Sequence, residues 1–167
     1  MGAGKTTLGQ ELSRILTWRF ADLDDIIQAR ENQSIEEIFE HRGESAFREL
    51  ERMVLLETLL NSDSASLVLA LGGGAFVDEE NQRTLIEAGA VAVFLDATAP
   101  ELYERCALAD AARPLRRDLQ QFSALYESRR SSYLKAQIHV QTSGRAIPSI
   151  ADDVISKLRL RPGGAFE

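Results

Sequence analysis

At 167 residues, with 44% hydrophobic and 27% charged residues, the chain suits one globular domain with a sizeable core. A net charge of −7 argues against general nucleic-acid binding, no apolar run approaches the roughly 20 residues of a membrane span, and Met1–Thr7 does not read as a signal peptide. The single cysteine, Cys106, excludes an internal disulfide and cannot alone build a thiolate metal site, so the expectation is a cytoplasmic protein without nucleic-acid or membrane partners.

The chain opens on Gly2-Ala3-Gly4-Lys5-Thr6-Thr7, which fits the end of the phosphate loop G-x-x-x-x-G-K-[ST]. Glycines let the backbone wrap a phosphate, and amides at a helix start point at it. Lys5 would reach the β- and γ-phosphates and the Thr6 hydroxyl would take Mg²⁺. The plain alternative is a glycine-rich terminus with a chance Gly-Lys-Thr. A helix is predicted over Lys5–Leu16, with Leu8, Leu12, Ile15 and Leu16 on one face. Trp18–Ala21 reads as a short strand ending at Asp22. Asp22 and Asp24 then follow a strand end, where one carboxylate can hold hydrated Mg²⁺ and the other can orient a substrate hydroxyl. The alternative, favoured on these residues alone, is an N-cap and acidic first turn for a helix Asp25–Arg30.

Ser34 with Glu37 is a capping-box signature opening a helix toward Phe39; Gly43 interrupts it, and a longer helix runs on through Leu60. Ser66–Leu71 is a continuous apolar strand stopped by Gly72, Gly73 and Gly74. Three glycines cost backbone entropy and make sense where a ligand must approach the main chain, although a tight turn is the simpler reading. A helix over Asp78–Ala88 ends at Gly89, and Val91–Asp96 is another buried strand. Pro100–Leu108 is helical, and Arg113-Pro114-Leu115 follows as either a lid or an exposed linker. Leu119–Lys135 forms a further helix, Ile138–Thr142 a strand, and Pro148–Leu158 the last helix. His41 and His139 lack metal-ligand spacing. Arginines cluster at Arg42, Arg48 and Arg52, at Arg113, Arg116 and Arg117, and at Arg129 and Arg130, and could converge on a small anion. Wholly apolar strands separated by helices imply an α/β fold with a parallel sheet covered on both faces, and ligands there bind beyond the carboxyl ends of the strands. That places Asp22, Asp24, Gly72–Gly74 and Asp96 at the binding edge.

The stretches MGAGKTT, FADLDDII, SIEEIFEHRGESAFRELE, LALGGGAF, RPL and ESRRSSY, in this order, resemble the shikimate kinase family from Met1 to about Leu158. The resemblance implies a three-layer P-loop fold of the nucleoside-monophosphate-kinase type, with a parallel sheet in the family order 2-3-1-4-5. It implies one domain over 1–160, with a substrate-binding region about 23–60, a lid about 107–118 and a flexible tail, 161–167. The implied reaction moves the γ-phosphoryl of ATP, with Mg²⁺, to the 3-hydroxyl of shikimate. This gives shikimate 3-phosphate and ADP for aromatic amino acid biosynthesis, and a monomer is expected. By position, Thr6 and Asp22 would belong to the magnesium shell, and Asp24 would hold the shikimate hydroxyls and act as base. Arg48 and Arg129 would grip the shikimate carboxylate, and Gly72, Gly73 and Gly74 would form the substrate wall. Arg113 would be the lid arginine, catalytic together with Lys5 and Asp24. The family's adenine-stacking arginine stands seven residues before the lid arginine, where this chain has Cys106; Arg105 stands eight before, and Arg145 in TSGRAIP is the other candidate adenine neighbour. A related kinase of the gluconate type is the rival, opposed by DLD together with FRELE; a non-catalytic nucleotide-binding module is another. The first glycine of the full phosphate-loop motif would fall two positions upstream of Met1. A central strand is therefore expected before Met1, and roughly ten or more upstream residues are expected to restore stability and activity.

Overall fold

The computed structural model describes residues 2–61, 67–109 and 118–160. Helix α1 (Lys5–Leu16) leads into strand β1 (Arg19–Asp22), α2 (Leu23–Glu31) and α3 (Ile35–Leu60). Strand β2 (Leu67–Ala70), a single 3-10 turn (Ala75–Val77) and α4 (Glu79–Glu87) follow. The chain continues through β3 (Val93–Asp96), α5 (Ala99–Ala109), α6 (Leu119–Tyr133), β4 (Ile138–Gln141) and α7 (Ile147–Leu158).

Most boundaries fall within one residue of those expected, and two larger shifts have local causes. Helix α2 starts at Leu23 rather than Asp25, because the Asp22 side chain accepts the Asp24 amide and caps it. The third strand begins at Val93: the Ala92 amide donates to the Gln137 side chain instead of a ladder partner. Both halves of the capping box form, the Glu37 amide donating to Ser34 Oγ at 3.2 Å and the Ser34 amide to Glu37 Oε2 at 2.7 Å. Gly43 breaks the helical path within α3 at φ 77° and ψ 172°, a conformation that favours glycine, so the expected interruption is a kink rather than a loop.

Both described ladders are parallel. Strand β1 lies on β2 from Arg19–Leu67 to Asp22–Ala70, and β3 lies on β4 from Val93–Ile138 to Asp96–Gln141. The uniform apolarity of β2 now has its reason. Val68 packs into the cluster of α1 and α7, with Leu8, Leu12 and Val154, whereas its neighbour Leu69 packs into that of α2 and α3, with Ile27, Phe47 and Leu55. Fully burying such a side chain supplies about 1.5–3 kcal/mol, of which the partly buried Val68 and Leu69 gain a share. Among the described residues no strand joins the two ladders. Between them lies an apolar cavity of about 590 Å³ lined by residues of β2, β3 and α1, including Val68, Val93 and Leu12.

Candidate active site

The parallel ladders bring their carboxyl ends to one edge. Asp22 closes β1, the three glycines follow β2, and Asp96 closes β3. Gly4 caps α1 at φ 77° with no side chain covering the helix start, so the amides around Lys5, Thr6 and Thr7 stay available to an anion. Gly2 and Ala3 pack this loop against α5, where Gly2 lies on the Leu102 carbonyl and near Cys106 Sγ.

Thr6 Oγ1 donates to Asp22 Oδ2 at 2.9 Å, while Asp22 Oδ1 accepts the Asp24 amide at 3.2 Å. One carboxylate thus caps α2 with one oxygen and meets the phosphate-loop threonine with the other. A hydroxyl and a carboxylate at a helix start are a donor set for Mg²⁺, which keeps several waters and relies on phosphate oxygens for the rest of its shell. Among the described residues no cluster of three His, Cys, Asp or Glu offers an all-protein cage.

Beside this pair lies a second group. Asp24 sits so close to Gly72 that a Cβ on Gly72 would stand 2.7 Å from Asp24 Oδ1. The Arg48 guanidinium lies against Gly74 so closely that a Cβ there would collide with it. These glycines are absences of side chains in a crowded wall. Arg48 donates to Glu51 Oε2 at 2.8 Å and to Glu44 Oε1 at 3.2 Å, with Phe47 and Phe39 under its charge at 5.2 and 6.0 Å. Glu51 is 1% exposed, and burial pushes its carboxyl up although Arg48 opposes the shift. Tyr133, on α6, donates its hydroxyl to the Gly73 carbonyl at 2.5 Å. Arg129, one turn earlier, stands within hydrogen-bonding reach of that phenol, and the charge of Arg48 is felt there too. Asp24, Arg48, Arg129 and the glycine wall therefore converge.

The proposed adenine neighbours are placed differently. Arg105 donates to Thr142 Oγ1 and to the Thr142 carbonyl, both at 3.3 Å, at the end of β4. Arg145 is turned to α7, donating to Asp153 Oδ2 at 2.9 Å and to the Ser149 carbonyl at 2.8 Å. Arg113 and most of the expected lid, like the tail 161–167, lie outside the described residues. Two participants escaped the sequence reading. Glu51 is three residues after Arg48 on one helix and Tyr133 four after Arg129 on another; that spacing was the available signal.

The sequence profile described as shikimate kinase matches residues 1–159. A shikimate kinase of Thermus thermophilus is 41% identical over 161 residues, 95% of this chain and 85% of that relative. One of Persephonella marina is 35% identical, over 95% of this chain and 94% of its own length. The structure of the Acinetobacter baumannii shikimate kinase in complex with shikimate matches with a TM-score of 0.85 at 30% identity, over 94% of this chain and 87% of that one. With this profile, these relatives and this structure matching nearly its whole length, the chain belongs to the shikimate kinase family.

Proposed function

We propose that this chain transfers the γ-phosphoryl group of ATP to the 3-hydroxyl of shikimate, with the acceptor held by Asp24, Arg48, Arg129 and the Gly72–Gly74 wall. The observation that carries this reading is the meeting of Asp24 and Arg48 on opposite ends of the glycine run, next to the Thr6–Asp22 pair. Shikimate carries one carboxylate and several neutral hydroxyls. A planar guanidinium fork suits the first and an aspartate acceptor the second. Glu51 and the phenylalanine rings hold the Arg48 fork in place from the buried side. Glu44, exposed and one turn away on the same helix, is a weak partner that an incoming carboxylate displaces at little cost.

On the donor side, Lys5 and the amides at the start of α1 hold the β- and γ-phosphates. Thr6 and Asp22 would hold Mg²⁺, which neutralises charge on the phosphate oxygens when bound. Asp24 accepts the hydroxyl proton as the acceptor oxygen attacks. On this reading Arg113 serves the transferred group, and Arg105 and Arg145 serve the base of the nucleotide. On this reading residues 23–60 carry the acceptor side of a single domain. Positioning and charge neutralisation supply most of the catalysis.

The test is ADP production with ATP and Mg²⁺ and either shikimate or gluconate as acceptor. Turnover on shikimate and none on gluconate is expected; the reverse selectivity overturns the assignment. Gly74→Ala sharpens it. Its methyl occupies the space of the Arg48 guanidinium, so the fork must swing away. Shikimate affinity should fall by about tenfold, the value of one misplaced charge-assisted bond, with ATP affinity unchanged in calorimetry.

A further inference from the structure

The glycine wall is held from two directions. The Gly72 and Gly74 carbonyls accept the amides of Ala75 and Val77, at 3.2 and 3.0 Å, within the following turn. The carbonyl between them, that of Gly73, instead accepts the Tyr133 hydroxyl of α6, a bond spanning 60 residues of sequence. The Tyr133 ring is fixed by its surroundings, packing on Phe94 at 5.3 Å and facing Tyr126 at 6.4 Å between centroids. Burial pushes its phenol up, so the hydroxyl keeps the proton it donates. Arg129 lies one helical turn away on the same face of α6 and within reach of the phenol oxygen.

We propose that Tyr133 is a positioning residue for the acceptor site: its hydroxyl ties the middle of the glycine wall to the helix that carries Arg129 and so sets the distance between the wall and the arginine. It need not touch the substrate. With Arg48 lodged against Gly74 and Arg129 beside Tyr133, one phenol fixes the spacing of both guanidiniums across the same three glycines. Losing the hydroxyl leaves the Gly73 carbonyl without this partner and frees the wall to shift relative to α6.

The proposal rests on the acceptor-site reading above, and Tyr133→Phe tests it with the ring and its packing retained. Steady-state kinetics should show the KM for shikimate raised about five- to tenfold, with kcat and the KM for ATP within about twofold, as for a loss of ground-state and transition-state binding alike. The melting temperature should hold to within a few degrees. Tyr126→Phe is the matched control. Its hydroxyl serves Asp96 and the Ala97 carbonyl, not the wall, and its loss should leave the KM for shikimate unmoved. An unchanged KM for shikimate in Tyr133→Phe overturns the proposal, as does an equal rise in both KM values with a lower melting temperature, which marks a fold residue. Wild-type turnover and the Arg48→Lys variant separate the two readings. If they behave as expected while Tyr133→Phe does not, only the positioning role fails.

Discussion

Asp24→Asn is expected to lower kcat by about 10²–10⁴-fold while the KM for ATP stays within about twofold. The substitution keeps the shape that fits against Gly72 and leaves the cap of α2 intact, because that cap uses the backbone amide of residue 24 and the side chain of Asp22. What it removes is the negative charge that orients the acceptor hydroxyl and receives its proton. Steady-state kinetics with a melting curve on the same preparation read the result. A folded Asp24→Asn enzyme with wild-type kcat would reduce Asp24 to a residue of the acidic first turn of α2.

Arg48 carries the other large effect, and two variants separate its duties. Arg48→Lys keeps a positive charge near the buried Glu51 but loses the planar fork. Shikimate should bind more weakly by roughly 1.5–3 kcal/mol, about 10- to 150-fold, with ATP binding unchanged in calorimetry. Arg48→Ala should add a stability loss, since removing one partner orphans a carboxylate that is 1% exposed. An orphaned buried charge costs about 3–5 kcal/mol, less here because Glu51 can take a proton. The sign of the pH dependence follows. Burial already raises the Glu51 carboxyl, and without Arg48 it rises further. A folded-state value above the unfolded one gives stability that is complete below the unfolded value, about 4.3 for glutamate, and is lost as pH rises through the folded one. The stability gap between wild type and Arg48→Ala, measured by urea denaturation, should therefore widen from acid toward neutral pH. A gap independent of pH would mean that losing Arg48 does not move the Glu51 carboxyl of the folded protein.

The elements of this fold were largely legible because their signals are local. Ser34 and Glu37 announce a helix start three residues apart, and the apolar run before Gly72 announces a strand buried on both faces, as the opposite packing of Val68 and Leu69 bears out. The site was legible where chemistry concentrates in short stretches, as in GAGKT, DLD and GGG. What escaped depends on distance in space. Nothing in FRELE distinguishes a glutamate at the surface from one sealed under its own arginine, and no local pattern pairs Tyr133 with a carbonyl 60 residues earlier. Asp22 shows a different limit. Its roles as a magnesium carboxylate and as a helix cap read as alternatives in one dimension, whereas one oxygen caps α2 and leaves the other to meet Thr6.

The most direct measurement is a crystal structure of the protein with shikimate and ADP bound. The shikimate carboxylate should sit on the Arg48 fork at about 2.7–2.9 Å with Glu44 released, and a ring hydroxyl on Asp24 at hydrogen-bonding distance. Shikimate bound with its carboxylate toward Asp22 and Thr6, or bound away from the glycine wall with Arg48 still closed on Glu44 and Glu51, would contradict that placement.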